Sequence, residues 1–125
     1  MSEIQNAVIR KTLLGFEDHG SLSCFVFVDG DGWTCGFGGY RMDAPDPLRK
    51  DVGSVGTAWG MEFIKRVLET VGVERWEDLP GKNIRVVAPE LGRGILRIGH
   101  ITKKLWFDPK VDLAFLLPQG KGGNK

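Results

Sequence analysis

Two histidines, His19 and His100, and two cysteines, Cys24 and Cys35, are the residues best suited to metal or nucleophile chemistry. A zinc or iron centre needs three or four converging ligands. Here the histidines are far apart in the chain and the cysteines, eleven positions apart, form no CxxC pair. Two reduced, mostly buried thiols are the expectation, with a cross-hairpin disulfide as the alternative. Nucleophilic catalysis would require an activated Ser or Cys beside a base. No GxSxG elbow occurs, and Cys35-Gly36 has no base among its sequence neighbours. The paired carboxylates Glu17-Asp18 and Asp29/Asp31 fall in turn-like segments, where acidic residues form turns far more often than acid–base pairs. No Glu follows Asp29 and Asp31 at EF-hand spacing. The residues therefore predict a non-enzyme that needs neither metal nor cofactor.

Three segments could bind a ligand. Trp33, Tyr40 and Arg41 bracket a glycine-kinked stretch, and exposed aromatics beside Arg make protein-binding hot spots. They are the favoured anchors for a protein partner. Arg93, Arg97, Lys103 and Lys104, with Arg85 nearby and Trp106 and Phe107 following, could line a basic groove with aromatic platforms for single-stranded nucleic acid. Along a strand, however, Arg97 and Lys103 share one face while Lys104 takes the other, so the stripe is imperfect. Gly53, Ser54, Gly56 and Thr57 lead into a helix just after Arg49 and Lys50, where backbone N–H groups could receive a phosphate. The run Gly36-Phe37-Gly38-Gly39 fails the dinucleotide fingerprint, since Arg41 stands where its last glycine belongs.

These residues need positioning elements, and the pattern supplies them. Residues 4–14 read as a strand, 15–20 as a turn, and 21–28 as the clearest strand. In the latter, Cys24, Val26 and Val28 point one way and Phe25 and Phe27 the other. With both faces apolar, this strand is expected to be central and covered on both sides. Asp29-Gly30-Asp31-Gly32 is a hairpin turn leading to a strand over 33–40, whose three glycines predict a bend or bulge. Residues 41–53 read as a loop. A helix is expected from about Thr57 to Val71 with Gly72 at its C′ position, burying Met61, Ile64, Leu68 and Val71, widened by Trp59, Phe63 and Val67. Leu79-Pro80-Gly81-Lys82 suits a type II turn. Strands follow at 83–88 and 95–107, the latter interrupted near Gly99, with a hairpin tip at 91–94 and a short strand or helix at 111–117.

The 125 residues, 42% hydrophobic and 26% charged, fit one domain able to bury its own core. The expected organisation is a single α+β domain over 1–117 with a disordered tail at 118–125. A curved, mostly antiparallel sheet of five or six strands, resembling a partly open barrel, would pack on one helix. No apolar run reaches the roughly 20 residues that span a bilayer, and no signal-peptide pattern opens the chain, so a cytoplasmic location is expected. The net charge of +1 conceals an asymmetry: residues 1–81 carry 8 Lys/Arg against 13 Asp/Glu, residues 82–125 carry 9 against 3.

GFEDHG (15–20), GFGGY (36–40), GMEFIKRVLETVGVERWEDLPGK (60–82) and WFDPK (106–110) together resemble a family of small phage- and prophage-encoded proteins, over about residues 4–110. The resemblance implies a context, the cytoplasm of a host cell, and supplies no catalytic residues. The resulting expectation is a binding protein that antagonises or modulates a host component, such as a defence system, by occupying a surface. Single-stranded nucleic acid and a phosphate-bearing nucleotide are the alternative ligands, and an exposed edge strand could also pair with a second copy as a homodimer.

Overall fold

A computed structural model describes residues 4–16, 20–46, 48, 53–87 and 94–116. Among these residues eight strands and two α-helices follow in the order β1 (Ile4–Phe16), β2 (Leu22–Gly30), β3 (Trp33–Arg41), β4 (Asp43–Pro45), β5 (Ser54–Gly56), α1 (Ala58–Val71), β6 (Asn83–Val87), β7 (Ile98–His100), β8 (Trp106–Phe107) and α2 (Pro109–Asp112), with a single 3-10 turn at Trp76–Asp78 before β6. Six of the strands form one antiparallel sheet in the order β3-β2-β1-β6-β7-β8, and β4 and β5 form a separate hairpin. The fold is α+β, and the sheet does not close into a barrel.

It nevertheless curls steeply. In a flat sheet the first and sixth strands would stand roughly 24 Å apart at about 4.8 Å per strand. Phe37 on β3 and Phe107 on β8 instead meet edge to face, with ring centroids 6.1 Å apart. Phe63 of α1 touches both, at 5.7 and 5.5 Å. The N–H of Ile95 donates to the Gly36 carbonyl at 3.3 Å and bridges the seam between the two edges. The concave face thus encloses the core, from Ala7, Ile9, Cys24, Val26 and Val28 to Ile84, Val86 and Ile98, with α1 laid across it.

Local chemistry accounts for the elements. Asp31-Gly32 closes the β2–β3 hairpin, with Gly30 opposite Trp33 and Gly32 at φ 83°. The bulge expected among the β3 glycines is present: Cys24 pairs with Tyr40 but Phe25 with Gly38, leaving Gly39 as the extra residue at φ 81°. Thr57 caps α1 by accepting from the Gly60 N–H at 2.9 Å, and Gly72 ends it in the left-handed region. Gly81 at φ 91° and the Lys82 N–H donating to Leu79 O give the expected turn before β6.

The structure corrects four expectations. Met61 does not face the core: it is 65% exposed, and the buried line runs through Gly60, Phe63, Val67 and Thr70 to Val71. Gly60 sets this rotation, because a Cβ there would lie 2.5 Å from the Met42 carbonyl oxygen, so the helix presses backbone to backbone at that point. Residues 41–53 are not simply a loop. Asp43 pins the β4–β5 hairpin by accepting from the Leu22 N–H, Arg41 Nε and Ser54 Oγ. The strand expected over 95–107 is two strands that pair with each other, and the break falls after His100 rather than at Gly99. There the His100 ring nitrogen Nδ1 accepts from the Thr102 and Lys103 N–H groups and folds the chain back. The segment at 111–117 begins within a short helix, started by Asp108 as N-cap and Pro109 at its first turn. Finally, β2 is interior in strand order, as expected, but among the described residues it is covered on one face only.

Candidate interaction surface

Residues paired across antiparallel strands share a face. By that rule Lys11 and Leu13 of β1, Phe27 and Phe25 of β2, and Gly36 of β3 lie together on the convex face, opposite the core, and the bulge brings Gly39 under Phe25 on the same side. The Phe25 and Phe27 rings stack at 5.3 Å, nearly parallel. They lean over the glycines of β3: a Cβ on Gly36 would sit 3.5 Å from Phe27, and one on Gly39 2.8 Å from Phe25. Lys11 Nζ stands 5.3 Å from the Phe27 centroid, a cation–π contact. Both phenylalanines are half-buried, Leu13 is exposed, and no second layer covers them among the described residues.

The far end of the convex face repeats the device. Trp106 lies over Gly99, where a Cβ would come within 2.7 Å of the indole, and Arg85 rests 5.0 Å from its centroid. That guanidinium is anchored through two of its nitrogens, donating to His100 O at 2.7 Å and Lys103 O at 2.6 Å. Trp106 is therefore held between a backbone and an anchored arginine, which takes up the ring that a stacked base would need. Arg97, Lys103 and Lys104 are exposed, and Arg93 lies outside the described residues.

Trp33, Tyr40 and Arg41 do not come together. Trp33 sits at the hairpin end of β3, its Nε1–H donating to Gln5 Oε1 at 2.8 Å. Tyr40 and Arg41 are at the other end, roughly 20 Å away along the strand. The Tyr40 ring packs on Trp59 and Phe63 at 5.2 and 5.6 Å as part of the aromatic cluster under α1. Burial first, and then Asp108 nearby, push its hydroxyl pKa up. Arg41 pairs with the buried Asp43 at 2.8 Å.

The segment before α1 is likewise committed to structure. The Ser54 hydroxyl donates to Asp43, and Thr57 Oγ1 both caps the helix and donates to Met42 O. Burial raises the Asp43 carboxyl, but hydrogen bonds from Ser54, Arg41 and the Leu22 amide, with the charge of Arg41, outweigh it and hold the pKa below the ordinary value. A fixed carboxylate beside Ser54 opposes a phosphate there. Gly53 and Gly56 are exposed, while Arg49 and Lys50 lie outside the described residues.

The remaining chemical candidates are also placed. Cys24 and Cys35 are thiols, not a disulfide, and burial drives Cys24 up to about 12. Among the described residues no three His, Cys, Asp or Glu side chains converge as metal ligands. His19 and the 91–93 part of the expected hairpin tip lie outside the described residues, as does the 118–125 tail. No described helix is long and apolar enough to cross a membrane. A shallow groove of about 360 Å³ follows the seam, lined by Gly36, Gly38, Tyr40, Ile95 and Lys110 among others.

The phenylalanine patch was missed in the sequence because an apolar outer face on a strand reads as burial. The available signal was register: phenylalanines on β2 opposite a glycine-rich strand have no side chains to pack between, so they must lie flat on backbone. Comparison with protein-family models, with curated proteins and with solved structures finds no match to the chain.

Proposed function

We propose that this chain is a stoichiometric binding protein that occupies a surface on a protein partner through the convex patch of Leu13, Phe25, Phe27 and Lys11. The observation that supports the reading is the stacked Phe25–Phe27 pair, only partly buried and seated on glycines that hold the rings without enclosing them. Rigid aromatic rings with few rotatable bonds lose little entropy on docking, and aromatics lead interface hot spots. Lys11 supplies a charge at the rim. The resemblance to small phage-encoded proteins directs the search to a host component, whose activity the chain would modulate by occlusion.

The test is affinity capture from host lysate with three folded baits: wild type, Phe25→Ser/Phe27→Ser, and Arg97→Glu/Lys104→Glu. A protein held by the wild type and by the charge variant, but at least about thirtyfold less by the phenylalanine variant, is the expected result. Equal capture by the phenylalanine variant overturns the reading. So does capture that disappears with nuclease or with the charge variant, which would favour nucleic acid on β7–β8.

A further inference from the structure

The turn after β7 is held by hydrogen bonds that converge on one imidazole. His100 Nδ1 accepts from the Thr102 N–H at 3.1 Å and the Lys103 N–H at 3.0 Å, and the Thr102 hydroxyl stands 3.5 Å away. An imidazole nitrogen accepts only through a free lone pair. The ring is therefore neutral, and its single proton is on Nε2. That nitrogen faces the end of α1, where a Cβ on Gly72 would lie 3.3 Å from it. The carbonyl end of a helix carries partial negative charge and suits an N–H there.

The rest of the turn depends on the same geometry. The His100 N–H donates to Leu105 O at 2.9 Å, and the Leu105 N–H to Lys103 O at 2.8 Å. Arg85 reaches from β6 to His100 O with Nε and to Lys103 O with a terminal nitrogen, so it clasps both sides of the turn. Its guanidinium then rests 5.0 Å from the Trp106 centroid. Lys103 is thus tied at both backbone groups, by Nδ1 at the amide and by Arg85 at the carbonyl.

We propose that His100 is a proton-operated latch on this turn. Neutral, it closes the turn. With a second proton at Nδ1 it changes from acceptor to donor, loses both backbone amides, and lets residues 101–104 open and Arg85 slacken over Trp106. The charges around the ring push the same way. Arg85 comes from β6, and Lys103 and Lys104 belong to the turn itself, so an imidazolium would join three cations. β8 presents no charged residue. Near the end of α1, Lys65 and Glu69 pair with each other, and Glu74 just beyond is exposed. No carboxylate among the described residues pairs with the ring to offset the cations. Among side chains, imidazole is the one that ordinarily gains its charge in mild acid.

The latch lies at the opposite end of the convex face from Phe25 and Phe27, and its test needs no partner. That test is an NMR titration of the full chain from about pH 7.5 to about pH 5. Long-range proton–nitrogen spectra of the ring report which nitrogen carries the proton. Amide exchange, expressed as protection relative to the unstructured rate at each pH, reports the turn. The expected result at neutral pH is the Nε2–H tautomer. As the ring gains its second proton, protection of the Thr102 and Lys103 amides and of the Arg85 Nε–H should fall together by about threefold to tenfold, the size of one ordinary hydrogen bond. Core amides such as those of Val26 and Val86 should keep theirs. His100→Asn offers a carboxamide oxygen to the same amides and cannot titrate, so its turn should stay protected across the whole range. A ring with its proton on Nδ1 at neutral pH overturns the proposal. So do amides that stay protected as the ring charges, a ring that stays neutral until the whole chain unfolds, and a His100→Asn turn that opens with the pH dependence of wild type.

Discussion

Two phenylalanine pairs stand on opposite faces of the sheet. Phe37 and Phe63 are on the concave side, fully buried, and are joined by Phe107, Tyr40 and Trp59 at centroid distances of 5.2 to 6.1 Å. Phe25 and Phe27 are on the convex side, stacked on each other and on backbone, with one face toward solvent. The residue type is the same and the neighbours differ. Aromatic surrounded by aromatic contributes to stability; aromatic laid on glycine is held rigid yet left available. The contrast separates what the fold needs from what a partner could use, and substitutions on the two faces should have opposite consequences.

The largest effect should come from the concave pair. Phe63→Ala removes the ring that joins α1 to both ends of the curled sheet, and should cost about 3–5 kcal/mol in a denaturant titration. A cost near that of a surface residue would mean that the sheet curls without α1. Next is Gly60→Ala. Alanine favours an exposed helix interior by about 1 kcal/mol over glycine, but here its Cβ would meet the Met42 carbonyl at 2.5 Å. Overpacking should win, for a net loss of about 1–3 kcal/mol. A gain would show that the helix can lift off the sheet freely.

Asp43→Asn should cost about 1–3 kcal/mol near neutral pH, since it weakens three hydrogen bonds to a buried group. The effect should depend on pH in a definite direction. The carboxyl titrates lower in the folded chain than its ordinary 3.8, so as pH falls the unfolded chain takes up the proton first. The stabilisation is complete above about pH 5 and is lost as pH falls through 3.8 toward the folded value. Unfolding free energies of wild type and variant should therefore converge on acidification. The smallest effect belongs to the convex pair: Phe27→Ala should change stability by about 1 kcal/mol or less while strongly reducing partner capture. A loss comparable to that of Phe63→Ala would erase the distinction between the two faces.

Much of the architecture was legible from residue order. The β2–β3 hairpin follows from Asp31-Gly32, the bulge from the β3 glycines, and the limits of α1 from Thr57 and Gly72, because each is a local preference acting within a few residues. The β4–β5 hairpin was not legible, because Asp43 joins Leu22, Arg41 and Ser54 across long stretches of chain. Nor was the turn after His100, in which an imidazole takes the place of backbone partners and Arg85 reaches in from β6. The anchor residues chosen from the sequence separated for a related reason. Trp33 and Tyr40 lie at opposite ends of one strand, and the Tyr40 ring was needed under α1.

By itself, the sequence determined the β2–β3 hairpin, its bulge and the limits of α1, since alternation, capping residues and positive-φ glycines act through neighbouring backbone. Tertiary structure alone decided which apolar residues are core and which are surface. Phe25 and Phe37 are equally hydrophobic; curvature put Phe37 against Phe107 and Phe63 and left Phe25 outside, because a sheet that curls around one helix has a single inside.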